Sequence, residues 1–189
     1  VTPDSILAFW FADGPDTARE AWFRRDPGFD ASIRAAFGTL LTPARDGALD
    51  DWSGTVTGAL ALLVVLDQFP RNLHRGQAEA FASDAHARLI ARRLLEAQGD
   101  WRLTPTQRVF AYLPFEHSES MADQDLSVAL FGGLRDIPAM AKPGGTIAYA
   151  WAHRAVIARF GRFPHRNEAL GRANTPAEVA YLAQPGAGF

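Results

Sequence analysis

Gly58-Ala59-Leu60-Ala61-Leu62-Leu63-Val64-Val65-Leu66-Asp67-Gln68-Phe69 is the stretch on which the fold turns. From Ala59 to Leu66 every residue is apolar. A helix that is apolar all round is stable only where every side is covered, so this one belongs at the centre of a core. A buried strand is the competing reading, because periodicity alone does not separate the two in a short apolar run.

Helix signals continue on both sides of this stretch. Thr2 before Pro3 reads as an N-cap with proline at the first helical position, leading into Ile6, Phe9 and Trp10. Asp26-Pro27 repeats the signal ahead of Phe29, Ile33, Phe37 and Leu40, whose spacing predicts one buried face. Pro43 should end or kink that helix, and Asp50-Asp51-Trp52 turns the chain into the central one.

Downstream, the Ala/Arg/Leu-rich stretch from Gln77 to Gln98 predicts a long helix with Gly99 as its terminator. Thr104-Pro105 opens a helix through Val109, Phe110 and Leu113 that Pro114 should stop, and another runs from Met121 to Gly132-Gly133. A loop is expected near 136–145, then a helix from Thr146 to Phe160 closed by Gly161. Thr175-Pro176-Ala177-Glu178 is a capping box opening a short last helix, with a tail over 184–189. No stretch alternates as strands do. The expected architecture is a single all-α domain over 1–189, an orthogonal array of about eight or nine helices.

Composition narrows the chemistry. None of the 189 residues is cysteine, which removes disulfides, thiolate nucleophiles and cysteine zinc sites. A net charge of −2 and a pI near 6.2 disfavour nucleic acid and anionic membrane surfaces as partners. The eight-residue apolar run is far short of the roughly 20 residues that span a bilayer. Thr2-Pro3-Asp4 lacks the basic region of a secretory signal, so a soluble cytoplasmic protein is expected. Lys142 is the only lysine. Almost every cation is therefore an arginine fork able to grip a carboxylate or phosphate bidentately.

Polar residues gather in three blocks. Phe69-Pro70-Arg71-Asn72 and Phe163-Pro164-His165-Arg166-Asn167 echo each other, and Glu116-His117-Ser118-Glu119 followed by Asp123-Gln124 lies between them. Each Phe-Pro step is expected to stop a helix, since proline disfavours α geometry in the residue before it. Asp67, at the end of the apolar run, should be at least partly buried and paired with an arginine such as Arg71 or Arg166. If their turn is helical, Glu116 and Glu119, three apart, share a face and repel, raising one pKa beside His117; otherwise they are an acidic first turn favoured by the following helix's dipole and neutralised by arginines. The second echo adds His165, Arg166, Asn167 and Arg162, and with His153 supplies donors suited to an anion. Three histidines and several carboxylates could ligate a metal, but no His-Glu-x-x-His or Glu-x-x-His pattern is present and no metal site is assigned. Ser118 and Ser120 lack a nucleophile elbow. Trp10, Phe11, Trp22, Phe23, Trp101 and Trp151 are expected to fill the core.

Leu66-Asp67-Gln68-Phe69-Pro70-Arg71-Asn72, Glu116-His117-Ser118-Glu119 and Phe160-Gly161-Arg162-Phe163-Pro164-His165-Arg166-Asn167 resemble the signature blocks of a mostly bacterial family, domain of unknown function 924. Phe9-Trp10-Phe11, Trp22-Phe23, Ala80-Phe81-Ala82-Ser83-Asp84 and Leu170-Gly171-Arg172 support the likeness, which runs from about residue 6 to the end. Pro43 and His74 are less typical of that family. The resemblance implies a tetratricopeptide-like all-α fold and no agreed activity, cofactor or partner.

Two functions compete at this stage. In the first, an Arg/His/carboxylate pocket binds a small anionic or polar metabolite. Asp67, Gln68, Arg71, Asn72, Asp123, Gln124, His153, Arg162, Arg166 and Asn167 would line it. His117 or His165 would move a proton, with Glu116 or Glu119 setting its state, and Arg71 and Arg166 would clamp the anion. In the second, the chain is an interaction scaffold for a peptide or protein, and the polar blocks are internal struts. Fold alone does not choose between them.

Overall fold

A computed structural model describes residues 1–188, and among them there is no strand. The helices are α1 (Pro3–Trp10), α2 (Pro27–Phe37), α3 (Leu41–Arg45), α4 (Val56–Leu63), α5 (Phe69–Leu73), α6 (Asp84–Glu96), α7 (Pro105–Glu116), α8 (Met121–Gly132), α9 (Pro138–Ala141), α10 (Thr146–Phe160) and α11 (Pro176–Leu182). Eight of these have seven residues or more, in agreement with the all-α array expected. No described helix is long and apolar enough to cross a membrane.

The central run is helical, and from Ala59 to Leu66 no side chain is more than 2% exposed. Thr55 starts α4 by accepting the Gly58 N–H on its hydroxyl. The helix does not stop at Phe69-Pro70, as the local rule for proline led us to expect. A π turn, Val64–Gln68, follows α4 and leads directly into α5, so the chain stays helical to Leu73. Pro70 has no N–H to give, and its ring would press on the carbonyl four residues back. The wider π turn absorbs that clash: Phe69 N–H bonds to Val64 O, five residues back. Leu66 O, the carbonyl Pro70 would have served, accepts the Ser83 hydroxyl at 2.6 Å.

Pro114 likewise fails to end α7, which continues to Glu116. At the second echo the stop signal is different again. α10 ends at Phe160, with Gly161 in the left-handed region at φ 68° and its N–H on Ile157 O. Phe163 is then extended, as a residue before proline should be, and Pro164–Arg166 forms a 3-10 turn. The two echoes thus share residues but not conformation.

Other boundaries moved for tertiary reasons. α6 begins at Asp84 rather than Gln77, after a 3-10 turn at Ala78–Phe81. The left-handed residue after it is Gln98, φ 52°. Gly99 is needed instead for close packing: a Cβ there would come within 2.5 Å of Leu94 Cδ1 and 3.1 Å of Val56 Cγ2. Within the loop expected near 136–145 sits the short helix α9.

By mutual contacts the described residues group into two units, Val1–Arg75 with Glu79–Pro114, and Gly76–Ala78 with the chain from Phe115 onward. In the first, aromatic rings pack against the central helix. Trp10 stacks on Trp22 at 5.8 Å and meets Phe69 and Phe110 edge-on at 5.7 and 5.5 Å. Trp22 Nε1 donates to Trp10 O. Phe23, Trp101 and Trp151, expected inside, are instead mostly exposed, and Trp101 lies under the Arg108 guanidinium. The second unit packs α8 against α10. Val156, Ile157 and Phe163 form a buried cluster there with Met121, Phe160 and Tyr181 against it.

Candidate functional site

In the first unit Asp67 and Gln68 lie in the π turn, and Arg71 and Asn72 one turn on. Asp67 is fully buried, so its charge needs a partner. Arg71 supplies it, at 3.2 Å from Asp67 Oδ1. The same guanidinium grips Asp84 bidentately at 2.9 and 3.1 Å and donates to Asp67 O at 2.8 Å. Burial alone would weaken its hold on the proton, but Asp67 and then Asp84 reverse this and raise its pKa. Gln68 Nε2 donates to Asp67 Oδ2 at 2.6 Å, and Asn72 Nδ2 to Asp30 Oδ1 at 2.8 Å. Two carboxylates around one guanidinium make this group a strut tying the central helix to the start of α6. Asp84 as the second partner was not foreseen, although Ser83-Asp84 before a helical run is a visible start signal. A surface cavity of about 170 Å³ in this unit is lined by Leu41, Thr42, Arg45, Pro70, His74, Glu79, Ala82 and Ser83, none of them a candidate residue.

In the second unit the middle block and the second echo converge. Glu116, the last residue of α7, is 3% exposed, and its Oε1 lies 3.5 Å from His153 Nδ1 on α10. His153 Nδ1 is 2.8 Å from Tyr149 O. A carbonyl only accepts, so Nδ1 carries the hydrogen and the ring's lone pair is on Nε2. Burial, then the neighbouring His117, with His165 and Arg166 adding to it against the Tyr149 hydrogen bond, pushes the His153 pKa down to about 3. The ring is neutral at neutral pH, and its contact with Glu116 is not an ion pair.

Around His153 the His117 ring lies at 6.2 Å and the Phe163 ring at 5.6 Å, edge-on. His165 packs on Phe163 at 5.5 Å, and the Arg166 guanidinium sits 4.6 Å over it. Arg166 Nη2 also donates to His117 O at 2.9 Å. Phe163, which carried no assignment from the sequence, is thus the ring that His153, His165 and Arg166 all contact.

The turn carrying Glu116 and His117 is fixed from α8. Ser118 Oγ donates to Asp123 Oδ2 at 2.7 Å, and Gln124 Nε2 donates to Glu116 O at 2.6 Å and Ser118 O at 2.7 Å. Buried Gln124 Oε1 and Asn167 Oδ1 have no hydrogen-bond partner among the described residues, while Asn167 Nδ2 donates to Asn174 Oδ1.

Glu119 does not share a face with Glu116, because α7 ends before it. It accepts the Phe163 N–H at 2.8 Å and both terminal nitrogens of Arg172 at 2.8 and 3.0 Å. Burial would raise its pKa, but Arg172 and the Phe163 N–H together hold it below the usual carboxylate range. Arg162 is committed too: it grips Glu178 bidentately at 2.6 and 2.8 Å and donates to Ala173 O. That pair raises the Arg162 pKa and lowers that of Glu178, the capping-box carboxylate of α11. Among the described residues no group of three or more His, Asp or Glu is placed to hold a metal ion.

The sequence model of a family described as a bacterial protein of unknown function (DUF924) matches residues 6–186. No curated protein matches the chain. Among solved structures, that of the protein of unknown function ATU0120 from Agrobacterium tumefaciens is similar. It is 38% identical over 96% of this chain and 96% of its own, with a TM-score of 0.84.

Proposed function

The chain belongs to the bacterial DUF924 family, and we propose that it binds a small anionic or polar metabolite at the histidine cluster of its second unit. The observation that carries this reading is the convergence of three chain segments: His153 meets Glu116, His117 and Phe163, and Phe163 in turn meets His165 and Arg166. Packing alone does not call for three imidazoles and a guanidinium at one place. Such a set suits recognition of a carboxylate or phosphate, with Arg166 as the permanent cation. Gln124 Oε1 and Asn167 Oδ1 add buried acceptors in the same unit for polar hydrogens.

Acid–base chemistry fits the same group. His117 or His165 is the proton carrier, since imidazoles exchange protons near neutral pH, and Glu116 sets its state. The neutral His153 is a fixed hydrogen-bonding ring rather than a charge. Arg71 is already engaged by two carboxylates and a carbonyl, so this reading assigns the anion to Arg166.

Exposed aromatic side chains favour a second reading, a scaffold for a peptide or protein partner. Tyr149 and Trp151 on α10 are 51% and 54% exposed. Melting-shift screening of small carboxylates, phosphates and polar metabolites separates the two. Compounds that stabilise the wild type should lose their effect in Arg166→Gln and His165→Asn, each checked for a native circular-dichroism spectrum. Undiminished shifts in both variants sink the pocket.

A further inference from the structure

After α11 the chain turns back on the histidine cluster. Ala187 N–H bonds to Gln184 O at 3.1 Å, and Gly186 takes φ 77°, a left-handed value that favours glycine. Gly188 then comes to rest against His165. A Cβ in its place would lie 3.1 Å from His165 Cβ, 3.5 Å from Cγ and 3.9 Å from Nδ1. Its φ of 89° is also one that side chains rarely adopt. Backbone conformation and close approach therefore demand glycine separately, and both demands are met at a residue of the cluster.

Among the described residues, 185–188 make the single hydrogen bond from Ala187 to Gln184. Segments with few buried contacts and few hydrogen bonds open at small free-energy cost. His165 itself sits in the 3-10 turn Pro164–Arg166, whose Pro164 and Arg166 are buried, as is Phe163 before it. A loosely held strap on a firmly held residue moves before the residue does.

We propose that residues 184–188 form the movable wall of the histidine cluster, with Gly188 as its latch on His165. The wall belongs to the same site as the small-ligand reading and rests on it for its purpose. A ligand reaching His165 must be small enough to fit beneath Gly188 or must lift the strap. Either way the segment sets which carboxylates or phosphates enter.

Carbethoxylation of imidazoles by diethyl pyrocarbonate, followed residue by residue by peptide mass spectrometry, tests the latch without any ligand. Gly188→Ala and a variant ending at Gln184 are compared with the wild type, with His86 of the first unit as internal reference. His165 should react at least about threefold faster in both variants, as expected when a weakly held cover is removed, while His86 keeps its rate. An unchanged His165 rate in either variant overturns the proposal. Because no metabolite is present, that failure is distinct from failure of the ligand screen.

Discussion

The Ser83 hydroxyl donates at 2.6 Å to Leu66 O, the carbonyl whose helical donor would have been the nitrogen of Pro70. One side chain from outside the helix thereby completes the backbone bonding that lets the central helix run through a proline. Removing it takes this hydrogen bond from the carbonyl of a buried residue. Ser83→Ala should lower the free energy of unfolding by about 1–3 kcal/mol, read from urea melts. In a Pro70→Ala background residue 70 regains its N–H, so the Ser83→Ala cost should shrink. Equal costs in the two backgrounds would show that the two residues are not coupled.

Arg71 and Asp84 make the second expectation. Asp84→Asn keeps the shape but removes one carboxylate from a largely buried guanidinium. A loss of about 2–3 kcal/mol is expected, below the full cost of breaking a buried pair because Asp67 remains. The urea m-value should stay constant, since the unfolded surface does not change.

His153 gives a pH signature. Its folded pKa of about 3 lies below the unfolded value near 6.5. Between these limits the unfolded chain binds the extra proton, so stability falls as pH falls, by up to about 1.4 kcal/mol per unit. His153→Gln should lose less stability than the wild type between pH 6.5 and 4, with the gap widening toward acid. Parallel stability–pH curves would contradict a neutral buried ring.

Glu119 behaves with the usual carboxylate sign. Its folded pKa is lowered, so its contribution is present above the unfolded pKa near 4.3 and is lost as pH falls through the folded value. Glu119→Gln should cost about 1–2 kcal/mol at pH 7, where the Arg172 fork and Phe163 N–H lose a charged acceptor. That difference should narrow in acid. Arg172→Gln should reproduce much of it, and a double variant no worse than either single one would confirm that the two act as a pair.

Much of the fold could be read from local patterns. The apolar run became the most buried helix, the Thr2, Asp26 and Thr175 caps start helices where expected, and Gly161 ends α10. Pro70 defeats the local rule because proline's effect on a helix depends on what else can serve the carbonyl it abandons. For Leu66 that server, Ser83, is 17 residues away and invisible to any window rule. Glu119 shows the same limit. Spacing put it on a face with Glu116, whereas the helix ends between them and Arg172, 53 residues on, takes the carboxylate. Phe163 becomes the ring shared by His153, His165 and Arg166 only through tertiary packing, which no local pattern encodes.

The most direct measurement is the imidazole nitrogen spectrum of the protein, recorded while the compound giving the largest melting shift is added. The His117 and His165 resonances should move together with the Arg166 Nε signal, while His153 keeps its Nδ1-bound proton. If every compound that stabilises the protein leaves all three histidines and Arg166 unmoved, the cluster is not a binding site.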